Sequence, residues 1–407
     1  MTLMMGVDRH FWDYAGRLRW KRRGRLEGVD AAPLTTSADQ KAFSIGLIVL
    51  LTLFVLCDAT IFSIFKPGSD WAPLWVGGRL SWSNVVQVYD IDLVTALQAP
   101  LVGATSDRPF VYPPSALLLF GPMAMLPFTA SFMTFGALSV ALFGRAAQPF
   151  EPRLILLLAA PPVVLAVLAG QPTILVAALI LLGLTQLDRR EGWAGAAFAV
   201  AAMIKPPLLL LAPIALIGGG YWRALTTAGA TVVAIGCISL ATFGLDAWLA
   251  WIAALPSFNA LVTGFEPLLR NAVTPYAMAV RLGLLPYFVS ACAAIIAIPV
   301  VWLSFARTHN ASVRLVTLVG GALLISPYAM NYELAALAPV VAGWRLDRVR
   351  DLILPVMWAG SLFLTASLAG LLAVYAWAVF KLVSQSAPLT TTNAGVKPWP
   401  HAQQQVK

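Results

Sequence analysis

Apolar residues fill this chain in runs, and the few polar positions fall at the breaks between them. The first run, 43–65, is long enough to cross a bilayer, which takes about 20 apolar residues in a helix. A mixed stretch, 66–111, follows. After it the runs shorten and are divided by proline and glycine: 112–127, 129–145, 154–169, 171–187, 193–204, 206–218 and 224–243. A second mixed stretch covers 244–285, and the last pieces are 286–305, 313–326, 333–344, 352–368 and 370–385. In lipid, a chain satisfies its backbone by forming helices unless it closes a barrel. The pattern therefore predicts an all-α polytopic membrane protein of about twelve transmembrane helices, with short re-entrant or interfacial helices between them.

Composition strengthens that reading. The chain is 59% hydrophobic and 11% charged, against roughly a quarter charged in a soluble domain, and its mean hydropathy is +0.81. The net charge of +9 sits where topology rules put it and is no sign of nucleic-acid binding. Arg17, Arg19, Lys21, Arg22, Arg23 and Arg25 cluster in a polar segment, 1–41, expected to be a cytoplasmic basic arm that sends the first helix outward. Phe11, Trp12, Tyr14, Leu18 and Trp20 interleave with those cations, so a surface-lying amphipathic helix is the second reading of this arm. The membrane domain is expected over 42–386, with external loops at about 66–111 and 244–285. The segment 387–407 is polar and aperiodic, a cytoplasmic tail without fixed structure.

Basic loops belong inside. Arg189 with Arg190, Arg223, Arg307 with Arg314, and Arg345 with Arg348 and Arg350 then place Gln171, Lys205 and Asn331 on the outer side with Asp70. Parity between Asp70 and Gln171 requires one apolar piece not to cross. Pro161-Pro162 interrupts 154–169, which is therefore expected to enter and return on the outer side.

The polar residues that converge there carry the candidate chemistry. Ionisable residues inside a membrane are rare and usually functional. Lys205 follows a helix of only about 18 Å and lies below the outer surface, where it either serves a site, snorkels to the interface or pairs with a carboxylate. Gln171 sits in a Gly-Gln-Pro turn and could simply satisfy freed backbone groups. Glu333, beside Asn331 and Tyr332 and near Tyr328, could complement a helix N-terminus. Asp58, within the first helix, could pair inside the bundle. Asp90 and Asp92 resemble a divalent-ion pair, but an Asp just before an apolar helix is a natural N-cap, so no metal and no cofactor is expected. Cys57, Cys237 and Cys292 lie in apolar runs and read as small buried hydrophobes. His10, His309 and His401 are scattered, with His309 in a cytoplasmic loop.

Four stretches, "SDWAPLWVGGRLSWSNVVQVYD", "FVYPPSALLLFGPMAMLPF", "AGQPTILVAALILLGLTQLDRREGWAGAAFAVAAMIKPPLLLL" and "ISPYAMNYELAALAP", resemble in order and spacing the GT-C type glycosyltransferases that use polyprenol-phosphate sugars. The nearest group is the GT87 (DUF2029) family, which contains mycobacterial α-(1→2) mannosyltransferases, and the likeness runs from about Asp70 to Pro339. It implies a GT-C membrane fold and an enzyme of the bacterial inner membrane with its active site facing the periplasm. Such an enzyme transfers mannose, or another hexose or pentose, from a polyprenyl-phosphate donor to a glycolipid or glycan acceptor. By the same resemblance Asp70 is the catalytic base, and Tyr112, Gln171 and Lys205 fall in recurrent family motifs. The relatives carry a functional histidine in a late external loop; here Asn331 or Tyr332 stands in that neighbourhood.

The chemistry suits the position of Asp70. A lipid-linked sugar presents its anomeric carbon at the membrane surface, and Trp71 and Trp75 are expected to anchor the carboxylate there as interfacial aromatics. Phosphate leaves as a stable anion, so a single carboxylate can suffice where a glycosidase uses two. Attack by the acceptor hydroxyl inverts C1, and Lys205, then Arg270 or Arg281, are the cations expected against the phosphate. Tyr112, Gln171, Tyr328, Asn331, Tyr332 and Glu333 are the expected substrate contacts. The competing reading is a transporter or flippase of lipid-linked saccharide, since broken helices and a buried cation also suit transporters. A non-catalytic subunit of an envelope complex is the third.

Overall fold

The computed structural model describes residues 37–64, 66–103, 108–363 and 366–386. The expected basic arm, up to residue 36, and the tail 387–407 lie outside the described residues. Those described are 82% helical and contain no strand. In chain order the helices are α1 (Ser37–Ile64), α2 (Trp71–Leu80), α3 (Ile91–Val102), α4 (Leu117–Met123), α5 (Phe128–Ala147), α6 (Leu154–Leu158), α7 (Pro161–Ala169), α8 (Thr173–Gln186), α9 (Glu191–Ile204) and α10 (Ala212–Gly218). There follow α11 (Trp222–Gly264), α12 (Glu266–Asn271), α13 (Pro275–Arg281), α14 (Pro286–Arg307), α15 (Ala311–Leu315), α16 (Gly321–Ile325), α17 (Ala338–Ala342), α18 (Ile353–Phe363) and α19 (Ser367–Ser386). A π turn, Val316–Gly320, joins α15 to α16, and 3-10 turns precede α4, α10 and α17.

Long helices surround short ones. Among the described residues five helices, α1, α5, α11, α14 and α19, are long and apolar enough to cross a membrane unaided. The expected twelve is not reached on that criterion, because the other apolar helices span 10–17 residues. The five are mostly outward-facing: in α11 only Ala224, Ser239, Phe243, Ala247 and Phe258 are buried. By contrast α8 buries Thr173, Ile174, Val176, Ala177, Ala178, Ile180, Leu181, Gly183 and Leu184. A helix apolar all round belongs in a core. At 1.5 Å per residue α8 is about 21 Å long, short of a bilayer core of about 30 Å. Gly244 (φ 78°) breaks α11 where the expected span 224–243 ends, yet the helix resumes into the stretch read as an external loop.

Contacts at the helix ends define two faces. On one, the turn 66–70 meets the end of α7, Trp75 Nε1 donates to the Leu126 carbonyl (2.9 Å), and Trp82 Nε1 donates to that of Gly121 (3.0 Å). On the other, Arg153 at the start of α6 donates through its backbone N–H to Ala342 (3.0 Å) and through Nη1 to Trp344 (3.1 Å), beside the basic stretch 345–350. Helices α6 and α7 therefore run from the basic face to the Asp70 face. They do not enter and return as expected. The segment that stays on the Asp70 side is 112–127: it begins at Tyr112, lies along α2 and ends at Leu126 beside Trp75. Proline occurs in both pieces, and packing against α2 decides between them.

The basic face has its own polar knot. Asp188 accepts from the Tyr221 hydroxyl and approaches His309 Nδ1 (3.2 Å) and Arg314 Nη1 (3.7 Å), tying the α8–α9, α10–α11 and α14–α15 connections together. Partial burial works against the Asp188 charge, but the Tyr221 hydrogen bond, His309 and Arg314 outweigh it and hold the carboxyl below its ordinary value. Of the cysteines, all free, Cys57 is buried as expected, whereas Cys237 and Cys292 are exposed on α11 and α14.

Candidate active site

The last four carbonyls of a helix have no partner within it, and in α7 all four are used to build the site. Gly170, at φ 81°, closes a Schellman turn in which its own N–H bonds Val167 (3.2 Å) and the Gln171 N–H bonds Ala166 (2.8 Å). The remaining two carbonyls, Leu168 and Ala169, accept from Gly68 N–H (2.9 Å) and Asp70 N–H (2.8 Å). The turn leaving α1 is thus clamped to the end of α7, with Asp70 at its tip. A Cβ on Gly170 would stand 2.6 Å from the Cβ of Trp71, so only glycine admits this approach. Trp71 is fully buried, stacked on Phe135 (4.5 Å between centroids) and edge-on to Phe120 (5.9 Å). It is a core anchor and not the interfacial residue expected from sequence. Trp75, half-buried and hydrogen-bonded, lies nearer the surface.

Asp70 precedes α2 without capping it. One carboxylate oxygen pairs with Arg108, and the other accepts from Gln171 Nε2 (2.7 Å), whose Oε1 accepts from the Tyr112 hydroxyl (3.1 Å). The root of Arg108 is fixed: its carbonyl accepts from the buried Gln98 Nε2 (2.8 Å). Two residues on, Phe110 is fully buried among Tyr89, Tyr112 and Phe120.

The second half of the cluster lies deeper. Proline holds the residue before it extended, and with Pro206 following, Lys205 takes φ −140°, ψ 79° between α9 and the next 3-10 turn. Its ammonium pairs with Glu333, donates to Thr173 Oγ1 (2.9 Å) and lies 5.0 Å from the Tyr332 ring centre. Thr173 Oγ1 also donates to Glu333 (3.2 Å). Side-chain exposure separates the two ion pairs: 11% for Lys205 and 3% for Glu333, against 27% for Arg108 and 19% for Asp70. The turn 170–173 links them, Gln171 serving one and Thr173 the other. Burial, with Glu333 and Asp70 near, pushes the Tyr328 hydroxyl above its ordinary value, against the opposing influence of Tyr332 and Arg108.

Asp70, Tyr112, Gln171, Lys205, Tyr328, Tyr332 and Glu333 are therefore brought together. Glu333 is a buried partner of Lys205 and not a free helix-end charge. Asn331 stands at the edge, its amide 3.5 Å from that of Asn271. Arg270 pairs with Glu266 on the exposed face of α12, and Arg281 ends α13; neither makes a hydrogen bond or ion pair with the cluster among the described residues. Asp58 Oδ1 has no hydrogen-bond partner among them. Asp90 caps α3, accepting from Leu93 N–H (3.0 Å), and no group of three or more His, Cys, Asp or Glu gathers among the described residues. Sequence reasoning missed Arg108 and Thr173. The signal for Thr173 was its place directly after Gln171-Pro172 at the head of an apolar run.

Beyond α2 an open groove of about 600 Å³ is lined by Trp75, Arg79, Leu80, Trp82, Leu97 and Met125. What the arrangement offers chemically is a positioned carboxylate with a guanidinium on one oxygen, both partly open to a ligand, above a sealed ion pair. A family model, glycosyltransferase family 87, matches residues 110–327. Searches of curated proteins and of solved structures found no match.

Proposed function

The chain belongs to glycosyltransferase family 87, and from that premise we propose that it moves a sugar from a polyprenyl-phosphate donor to an acceptor hydroxyl with Asp70 as general base. The observation that carries the reading is the carboxylate of Asp70, held by Gln171 on a backbone turn clamped to the α7 carbonyls yet partly open, where the chain leaves α1. The acceptor oxygen attacks C1 of the sugar and its proton passes to Asp70. The C1–O bond to phosphate breaks, and its electron pair stays on the phosphate oxygen, giving inverted glycoside and polyprenyl phosphate. Phosphate needs no proton to leave, so no second carboxylate acts as general acid.

Tyr112, Gln171, Tyr328, Asn331 and Tyr332 supply the hydroxyls and amides that surround the sugar. Lys205 and Glu333 form the floor of the site, with Lys205 the deeper cation. The groove beside Trp75, Arg79 and Trp82 suits an apolar chain with an anionic head, which supports a lipid-borne substrate. The enzyme sits in the bacterial inner membrane with this face toward the periplasm, and mannose or another hexose or pentose passes to a glycolipid or glycan.

The test is transfer from a panel of polyprenyl-phosphate sugars by the purified protein in detergent, wild type against Asp70→Asn. A general base is worth about 10²–10⁴-fold, so the variant is expected to lose at least about 10² of the rate. Transfer that survives the substitution removes Asp70 from the role, and absence of transfer from every donor removes the donor class.

A further inference from the structure

Resting on the donor assigned above, we propose that Arg108 is the residue that binds the donor phosphate, and that the phosphate takes it from Asp70, so that donor arrival itself frees the base.

Three observations lead there. The first is availability. Of the two cations in the cluster, Lys205 is already satisfied by Glu333, Thr173 and the Tyr332 ring, and its side chain is 11% exposed. Arg108 is 27% exposed, and among the described residues its acidic partner is Asp70, the carboxylate that chemistry must use. Withdrawing Lys205 from Glu333 would leave a buried carboxylate unpaired, which is strongly unfavourable. Exchanging one anion for another on Arg108 leaves no charge alone, provided Asp70 then accepts the proton of the acceptor.

The second is mechanical. The backbone at Arg108 is held by Gln98, and the ring of Phe110 is locked among three aromatics. Asp70 is held by Gln171 on its other oxygen and by Ala169 through its N–H. The guanidinium can therefore turn from Asp70 to a nearby phosphate by side-chain rotation while base and root stay in place.

The third is chemical. A guanidinium engages phosphate through two parallel N–H bonds. The donor's phosphate is a monoanionic diester and the leaving polyprenyl phosphate is a monoester that gains charge as the C1–O bond breaks. A cation bound there is held more tightly as the reaction proceeds, which is what transition-state stabilisation requires. Before the donor binds, one oxygen of Asp70 is tied to Arg108 and the other to Gln171, so an acceptor hydroxyl finds no base ready. Acceptor activation in the absence of donor is thereby suppressed.

The experiment is equilibrium binding of undecaprenyl phosphate, the product-like lipid, to detergent-purified wild type, Arg108→Gln, Asp70→Asn and the double variant. It needs no turnover. Arg108→Gln is expected to weaken binding about tenfold or more, the scale of a lost charge-assisted pair. Asp70→Asn is expected to tighten binding by about tenfold where Arg108 is present, because the competing carboxylate is gone. In the Arg108→Gln background the same substitution should change affinity by less than about threefold, since the competition no longer exists. Equal tightening in both backgrounds means simple charge repulsion and overturns the exchange. Binding unaffected by Arg108→Gln overturns the assignment while leaving the donor class intact. No binding to any form overturns the donor class and the assignment with it. Arg108→Lys keeps the charge without the fork; a few-fold loss of affinity is expected of it, and should Arg108→Gln melt far below wild type, wild-type affinity in Arg108→Lys overturns the assignment.

Discussion

Gly170 to alanine is the substitution whose cost can be built from the coordinates. Two terms add. The backbone at Gly170 has φ 81°, where an L side chain pays about 1–2 kcal/mol. The new Cβ would also meet the Trp71 Cβ at 2.6 Å, and Trp71 has little room to give, being fully buried between Phe135 and Phe120. Forcing a methyl into such packing costs about 1–3 kcal/mol, for a total of about 2–5 kcal/mol. Gly220 supplies the control: its φ is 71°, but a Cβ there meets nothing within 4 Å, so alanine should cost only the backbone term. Thermal unfolding of both variants in detergent, beside wild type, gives the comparison. Gly170→Ala should melt well below Gly220→Ala. It should also lose transfer activity, because the turn that shifts carries Gln171 and abuts Asp70. A Gly170→Ala protein that melts no lower than Gly220→Ala would refute the close packing of Trp71 on this turn.

Two further outcomes follow from the polar clusters. Glu333→Gln leaves the Lys205 ammonium buried without its anion, which should destabilise by about 3–5 kcal/mol, whereas the double change Lys205→Met with Glu333→Leu should cost less than either single change; a double-mutant cycle of unfolding free energies checks this. Asp188 titrates below its ordinary value in the folded chain, so its contribution to stability is complete above the unfolded value of about 4 and is lost as pH falls through the lowered folded value. Melting midpoints measured from pH 7 to pH 3 should therefore fall more steeply at the acid end in wild type than in Asp188→Asn, the two curves converging as the carboxyl protonates.

Much of the site was legible because a membrane domain has so few polar residues to place. Gln171, Lys205 and Glu333 each interrupt an apolar run, and a group buried in lipid or protein must find a partner. Arg108 gave no such signal: it sits in a polar loop segment, where a basic residue reads as solvated. Its importance comes from Asp70, which is distant in sequence. The direction of 154–169 was misread for a related reason. Hydropathy treats it and 112–127 alike, and only the packing of the latter against α2, together with the bonds from Arg153 to Ala342 and Trp344, separates them. The break at Gly244 was visible as the end of an apolar run. The continuation of the helix beyond it was not, because Leu245 to Gly264 mixes polar and apolar positions.

The Lys205–Glu333 pair also sets a problem of timing. Lys205 leaves the ribosome about 130 residues ahead of its anion, and at roughly 5–20 residues per second the ammonium waits on the order of ten seconds before its counter-charge is made. Throughout that interval the newly inserted α9 and α10 carry a lone cation flanked by Pro206 and Pro207. A chain that stops short of residue 333 leaves that ammonium without its carboxylate, an unpaired charge that is costly to bury. The ion pair beneath Asp70 can therefore close only late in synthesis, with α18 and α19 still to be made.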